Sequence, residues 1–212
     1  MSARRKIVVI GAGGQARDIA WLIQELGDVE LLGFVVSDTS RIGPHDSPVL
    51  GDYSALDRLR PDCLALGIGS PQARLRVAED LAPRYPHDHD RWPALVHPSV
   101  VLDRSTLVLG PGSSICAGTH GSVNITMDPF ALVNIGVTLG HECRIGMGAV
   151  VNHGASISGG VTIARCALVG TGARVLQYLN VGVDSVVGAG AIVTKDVAAG
   201  TTVVGVPARP RG

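Results

Sequence analysis

The chain has 212 residues, enough for one or two domains with a buried core. Lysine plus arginine and aspartate plus glutamate both number 18, so the formal net charge is zero, and only 3% of the residues are aromatic. Such a chain has neither the basic surface nor the aromatic platform that nucleic-acid binding needs, and we expect no nucleic-acid or membrane partner.

The cysteines and the apolar runs indicate a protein of a reducing compartment. The run Ile7 to Ile10 is too short for the core of a signal peptide, and no run approaches the roughly 18 apolar residues of a membrane span. We therefore expect a cytoplasmic protein. No CxxC pair occurs, and small buried side chains are predicted for Cys63, Cys116, Cys143 and Cys166.

Residues 1–84 predict a small Rossmann-like α/β domain. An apolar strand at 6–10 runs into the glycine-rich turn GAGGQA, and a helix with regular apolar spacing continues as far as Gly27. Further strands are expected at 31–36 and 63–68, with helices at 53–59 and 71–81. This alternation of strands and helices predicts a parallel sheet.

The glycine-rich turn is the candidate nucleotide site of this domain. Backbone N–H groups at a helix start favour an anion, and parallel sheets bind ligands at the carboxyl ends of their strands. Val36 and Ser37 stand where NAD-binding units carry an acid, so NAD is not expected. The pattern G-x-G-x-x-A also occurs in tight turns that bind nothing, and that alternative stays open. The expected substrate contacts are Gly13, Gly14, Gln15, Gly69 and Ser70.

The polar stretch 85–95 is predicted to be a connector. It contains His87 and His89, but the sequence offers no second cluster that would complete a metal site around them.

Residues 96–212 are dominated by a six-residue repeat. Stepping by six from Leu109 to Val187, every position is apolar except Gly121, and the position after it is usually small or polar. This period predicts a parallel β-helix, in which each hexad forms one short strand and a corner. A long buried helix is excluded, because no helical period divides into six.

This pattern resembles the hexapeptide-repeat acyltransferases, whose prism is a left-handed β-helix with three hexads per coil. The left-handedness is implied by the resemblance alone. With eighteen residues per coil, Asn134 should lie under Asn152 as an amide ladder, and His141 should lie under Gly159.

Within the repeat, His141 and Glu142 are the candidate catalytic pair. They occupy a corner, where side chains point outward, and Gly159 is expected to leave an open groove beside the imidazole for a thin acyl carrier. A solvated histidine without a function is the alternative. Cys143 falls at an inward position and is expected in the core, and His97 is expected to be structural. His120 is placed at a corner with no assigned role.

Five segments carry a closer resemblance, which covers nearly the whole chain: GAGGQA at 11–16, LVHPSVVL at 95–102, LVNI at 132–135, GHECRIG at 140–146 and VVGVPAR at 203–209. They are similar to the sugar O- and N-acyltransferases that include the bacillosamine-pathway acetyltransferase of pilin and protein glycosylation and the sialic acid O-acetyltransferase-like proteins. The resemblance implies an enzyme that moves an acetyl group from acetyl-CoA to the amine or hydroxyl of a nucleotide-linked amino sugar. It also implies a homotrimer and no metal.

The resemblance further implies the roles of single residues. His141 corresponds to the general base and Glu142 to the acid that raises its basicity; an imidazole suits the task because it exchanges a proton near neutral pH. The implied contacts to CoA are Asn134, Gly159, Thr171 and Ala189.

The chain also departs from the family pattern. Val150 replaces a second histidine, and we hypothesise that His153 of a neighbouring subunit faces the site instead. The alternative is a solvated corner or a ladder partner like Asn152. Val36 and Ser37 replace the acids that grip uridine, so the nucleotide is open. The bulky Leu176 and Tyr178 interrupt a hexad of small residues, and their direction is open.

Two other functions compete with the transferase. A zinc-dependent carbonic anhydrase on the same prism is not expected, because His120, His141 and His153 lack its ligand spacing. A non-catalytic nucleotide-binding scaffold with a degenerate prism is the alternative to an enzyme, and the intact His141–Glu142 pair disfavours it.

Overall fold

The computed structural model describes residues 4–211, so residues 1–3 and 212, at the outer ends of the two predicted domains, lie outside it. The first domain consists of β1 (Arg5–Ile10), α1 (Gly14–Leu26), β2 (Val29–Val35), a 3₁₀ turn (Thr39–Arg41), α2 (Ala55–Leu59), β3 (Cys63–Leu66) and α3 (Pro71–Leu81). The strands are parallel in the order β2-β1-β3, which confirms the small Rossmann-like sheet.

The central strand β1 is buried on both faces, as expected for a parallel sheet covered by helices. Ile7 and Val9 pack with α1 on one side, whereas Val8 and Ile10 pack towards α2 and α3 on the other. Helix α1 ends as predicted at Gly27, which adopts a left-handed conformation with φ 69°.

The second domain is a left-handed parallel β-helix, also as predicted. Its strands are β4 (Leu95–Val96), β5 (Val108–Leu109), β6 (Ser114–Ile115), β7 (His120–Gly121), β8 (Thr126–Met127), β9 (Leu132–Val133), β10 (Thr138–Leu139), β11 (Arg144–Ile145), β12 (Val150–Val151), β13 (Ser156–Ile157), β14 (Thr162–Ile163), β15 (Leu168–Val169), β16 (Arg174–Val175), β17 (Asn180–Val181), β18 (Val186–Val187), β19 (Ile192–Val193), β20 (Thr202–Val204) and β21 (Arg209–Pro210). They form three faces, in the orders β7-β10-β13-β16-β19, β5-β8-β11-β14-β17 and β4-β6-β9-β12-β15-β18-β20-β21.

The coils repeat every eighteen residues, as the sequence predicts. Leu139 pairs with Ile157, which pairs with Val175, and the apolar residues of the hexads form a continuous buried column. Gly121 has no side chain, and the side chains of Ile125 and Leu102 fill the space that one would occupy. A Cβ there would lie 2.8 Å from Ile125 Cδ1 and 3.1 Å from Leu102 Cβ.

The prism continues beyond the last hexad of the repeat. Strand β20 adds to β18 in parallel and buries Val203 in the same column. The prism therefore continues through residue 204, and only β21 pairs antiparallel. None of the helices between residues 4 and 211 has the length and apolarity to cross a membrane.

Corners of the prism share a left-handed backbone at the fourth position of the hexad. Glycine usually occupies this position, as at Gly136, Gly154 and Gly172, because it adopts positive φ without strain. Side chains are held in this conformation at Asn124, Phe130, Glu142, Cys166, Tyr178 and Asp184.

The first domain packs on the face of the prism that contains β9 and β12. Leu132 and Val150 of that face are buried with Ile19 and Leu22 of α1. Arg74 of α3 is fully buried, and its guanidinium donates to the carbonyl oxygens of Leu66, Ile68 and Phe130 at 3.2, 2.7 and 3.1 Å. The arginine thus joins the end of β3 to a corner of the prism.

The stretch predicted to be a connector also contributes to this core. Trp92 is buried against Phe130, and its indole N–H donates to the carbonyl oxygen of Tyr85 at 3.0 Å. Trp92 therefore connects the polar segment before it to the core between the two domains.

We expect Ile145→Ala to lower the free energy of unfolding by about 2 to 5 kcal/mol, because it opens a cavity in the middle of the column. Urea unfolding followed by circular dichroism measures the loss. Met147→Ala, at an exposed corner two residues away, is the control and should cost far less. Equal losses in both variants would contradict the buried column.

Candidate active site

His141 and Glu142 lie at the corner between β10 and β11. The imidazole Nδ1 is 3.4 Å from Glu142 Oε2, and 49% of the histidine side chain is exposed. Such an exposed pair contributes little to stability, but it leaves the ring accessible to a ligand. Glu142 is held with φ 59°, so the corner that fixes the carboxylate beside the ring is itself strained.

The imidazole lies directly over Gly159 of the next coil, which corrects the prediction of an open groove there. A Cβ on Gly159 would be 2.3 Å from His141 Nε2, so the histidine ring itself occupies the space that the glycine leaves. The coils are joined here by a hydrogen bond from Gly160 N to the His141 carbonyl oxygen at 2.8 Å. Gly159 therefore sets the position of the ring.

Tyr178 lies on the same corner and points towards the histidine. Its ring covers Gly160, where a Cβ would be 2.4 Å from Tyr178 Cδ1, and its centroid is 6.4 Å from that of His141. The side chain is nevertheless 67% exposed. The direction of Tyr178, which the sequence left open, is thus towards the candidate base.

The other predicted CoA contacts lie on a different edge of the prism. Corner residues eighteen apart stack, so His141 and Gly159 share one edge, whereas His153, Thr171 and Ala189 share the next. Gly172 N donates to the His153 carbonyl oxygen and Gly190 N to that of Thr171, both at 2.9 Å. A single chain therefore does not bring Thr171 and Ala189 to His141.

Asn134 forms the predicted amide ladder. Its Nδ2 donates to Asn152 Oδ1 at 3.0 Å, and the residue has 0% exposure. The half-buried end of the ladder is Asn152, while contact between Asn134 and CoA stays a prediction.

In the first domain the structure brings four of the five predicted substrate contacts together. Gly13 caps α1 and Gly14 begins it, at the carboxyl end of β1. The Gln15 side chain lies beside Gly69, whose Cβ would be 3.7 Å from Gln15 Oε1. Ser70 precedes α3 and is exposed, but its side chain makes no capping hydrogen bond.

Two charged residues beside this turn were missed by the sequence analysis. Asp46 Oδ1 is 3.6 Å from the Cβ position of Gly13, and its Oδ2 accepts a hydrogen bond from Gly43 N at 2.9 Å. The Arg17 guanidinium is 3.8 Å from the Cβ position of Gly14 and donates to the His45 carbonyl oxygen at 2.7 Å. Helical spacing could have placed Arg17 near the turn, whereas Asp46 comes from an irregular loop.

Three other histidines, His87, His97 and His120, are placed elsewhere in the fold. His120 lies in β7 rather than at the predicted corner, because its hexad position belongs to a strand. His97 is buried as expected, hydrogen-bonded to Ser99 Oγ at 2.8 Å and packed on Trp21. The His87 ring lies 3.0 Å from the Ala78 carbonyl oxygen. Among residues 4–211 no group of three or more histidine, cysteine, aspartate or glutamate side chains is placed to hold a metal ion.

A prism of hexads with an exposed histidine at one corner, preceded by a small parallel sheet, defines the class of hexapeptide-repeat transferases. The family described as "PglD N-terminal domain" matches residues 6–81. No curated protein matches the chain.

Solved structures match it along its length. WeeI from Acinetobacter baumannii is 30% identical, with 97% of this chain and 99% of that chain covered and a TM-score of 0.82. PerB from Caulobacter crescentus, solved with CoA and GDP-perosamine, is 29% identical, with 99% of both chains covered and a TM-score of 0.87. The acetyltransferase domain of PglB from Neisseria gonorrhoeae, solved with acetyl coenzyme A, is 29% identical, with 99% and 100% covered and a TM-score of 0.85.

The chain therefore belongs to the hexapeptide-repeat sugar acetyltransferase family, as its motifs indicated. The expectation of an acetyl-CoA-dependent sugar acetyltransferase is confirmed, in place of a non-catalytic scaffold.

The cysteines should be inert in the folded enzyme. All four are buried, and burial raises the pKa of the Cys143 thiol to about 11 and that of Cys116 to about 12, which disfavours the reactive thiolate. We expect Ellman's reagent at pH 8 to modify none of them before unfolding and four afterwards. Fast modification of Cys143 in the native enzyme would contradict its place in the core.

Proposed function

We propose that this enzyme transfers an acetyl group from acetyl-CoA to the amine of a nucleotide-linked amino sugar, with His141 as the general base. The observation on which this rests is the exposed His141 ring, whose Nδ1 faces the Glu142 carboxylate at 3.4 Å. The similarity to PerB, solved with CoA and GDP-perosamine, supports the substrate class. Variants of that GDP-perosamine N-acetyltransferase with a histidine replaced were solved with the same two ligands.

In the proposed mechanism the two ring nitrogens have different tasks. With Nδ1 donating its proton towards Glu142, Nε2 keeps the lone pair that accepts a proton from the sugar amine. The amine nitrogen attacks the thioester carbonyl, and a tetrahedral intermediate forms. This intermediate collapses to the amide, while the C–S bond breaks and the CoA sulfur leaves with the proton from His141. Backbone N–H groups of the corners are suited to stabilising the oxyanion.

We propose that the acceptor's nucleotide binds at the glycine-rich turn of the first domain. The free N–H groups at the start of α1 favour a phosphate, and Arg17 adds a positive charge beside Gly14. Asp46 supplies a carboxylate beside Gly13, which suits hydroxyl or ring N–H donors of a nucleoside. The charges of Arg17 and Asp46 are therefore available to a nucleotide although Val36 and Ser37 replace the uridine-binding acids.

A homotrimer is part of this proposal, because one chain does not complete the donor site. Thr171 and Ala189 are exposed on the edge of His153, one prism face away from His141. If the His141 edge of one subunit faces the His153 edge of the next, then all the predicted CoA contacts except the buried Asn134 meet in one cleft. His153 would then lie across the cleft from His141.

We expect His141→Ala to lower kcat by about 10²- to 10⁴-fold, because a positioned general base contributes an acceleration of that order. Thiol release from acetyl-CoA, measured over a panel of UDP-, GDP- and dTDP-linked amino sugars, gives the rate and identifies the nucleotide. His89→Ala, an exposed histidine outside the prism, is the control and should retain full activity. Unchanged turnover in His141→Ala would contradict the assignment.

Mixed trimers test the shared site. We expect His141→Ala and His153→Ala chains to be weakly active alone, and co-refolded mixtures to regain part of the activity, because some clefts then combine both intact histidines. The measurement is thiol release from the mixture compared with each variant alone. Full activity of His153→Ala by itself would remove this histidine from the site.

A further inference from the structure

Six corners of the prism hold a residue other than glycine with positive φ, and for two of them neither residue type nor packing accounts for the strained backbone. Asn124 and Asp184 are of the residue types that tolerate positive φ, and Phe130 and Cys166 are buried in the core between the domains. Glu142 and Tyr178 remain, with φ of 59° each and exposed side chains. Both flank His141, and strained residues of this kind concentrate at functional sites.

The surroundings of Tyr178 favour a contact with the acyl donor. Its coil lies between Thr171 and Ala189, at the level of the predicted CoA contacts and beyond His141 along the prism. Gly160 supports the ring from beneath, and the rest of it is open to solvent beside the imidazole. The ring therefore stands beside the candidate base with most of its surface free for a ligand.

We propose that Tyr178 binds the pantetheine arm of the acyl donor and directs its thioester to His141, an inference that rests on the proposed function. A flat, supported aromatic ring offers a thin chain of methylene and amide groups a large apolar contact at little entropic cost. Its hydroxyl is not required, so phenylalanine should replace tyrosine.

The test is CoA binding to the full chain, measured by isothermal titration calorimetry, so no acceptor has to be known. We expect Tyr178→Gly to weaken CoA binding about tenfold, as the loss of one aromatic contact implies, and Tyr178→Phe to bind within about twofold of the parent. Leu176→Ala, an exposed apolar residue of the same hexad, is the matched control.

The Tyr178→Gly variant also distinguishes a loss of CoA binding from a loss of stability. It relieves the positive φ, so the thermal midpoint of Tyr178→Gly should equal or exceed that of the parent. Undiminished CoA binding by Tyr178→Gly would overturn the inference and leave the proposed function intact. Unchanged binding with a shifted pH profile of turnover would mean that the ring only positions His141, which also overturns it. A parent protein that does not bind CoA would overturn both proposals.

Discussion

The stacking of residues eighteen apart is the constraint on which the site depends. Parallel pairing between coils places each corner directly above its counterpart, so residues distant in the chain become neighbours along an edge. His141 lies over Gly159, and Tyr178 lies over Gly160, only because the register is kept in every coil. The buried aliphatic column enforces that register, since a slip of one residue would turn the apolar side chains outward.

Much of this architecture was predictable because it follows from the six-residue period of the sequence. The hexads identify the strands, the corners and the inward position of Cys143, and the coil length then gives the ladder from Asn134 to Asn152. Side-chain directions at the corners are not periodic. Whether the His141 ring lies beside Gly159 or over it, and which way Tyr178 turns, depends on local rotamers and on the left-handed backbone. Asp46 was missed for a related reason, because an irregular loop carries no spacing that would place it beside Gly13.

The contact between the domains determines where the candidate nucleotide site lies relative to the His141 corner. The first domain covers the face that contains β9 and β12, whereas the His141 corner joins the two other faces. Arg74 holds this arrangement by donating to three carbonyl groups, two in its own domain and one in the prism. Burial without a carboxylate partner lowers the pKa of Arg74 to about 10, which still leaves it charged at neutral pH. The candidate nucleotide site and the candidate base thus lie in two domains that this buried cation joins.

The repeat also means that the length of the prism changes in fixed steps. Gaining or losing one complete coil changes its length by the spacing of neighbouring strands, about 4.8 Å, and leaves every face and corner in phase. Insertions of other lengths would rotate the later residues around the axis and separate Tyr178 from His141. Units of eighteen residues can therefore be duplicated or deleted outside the segment from His141 to Tyr178 without disturbing the candidate catalytic corner.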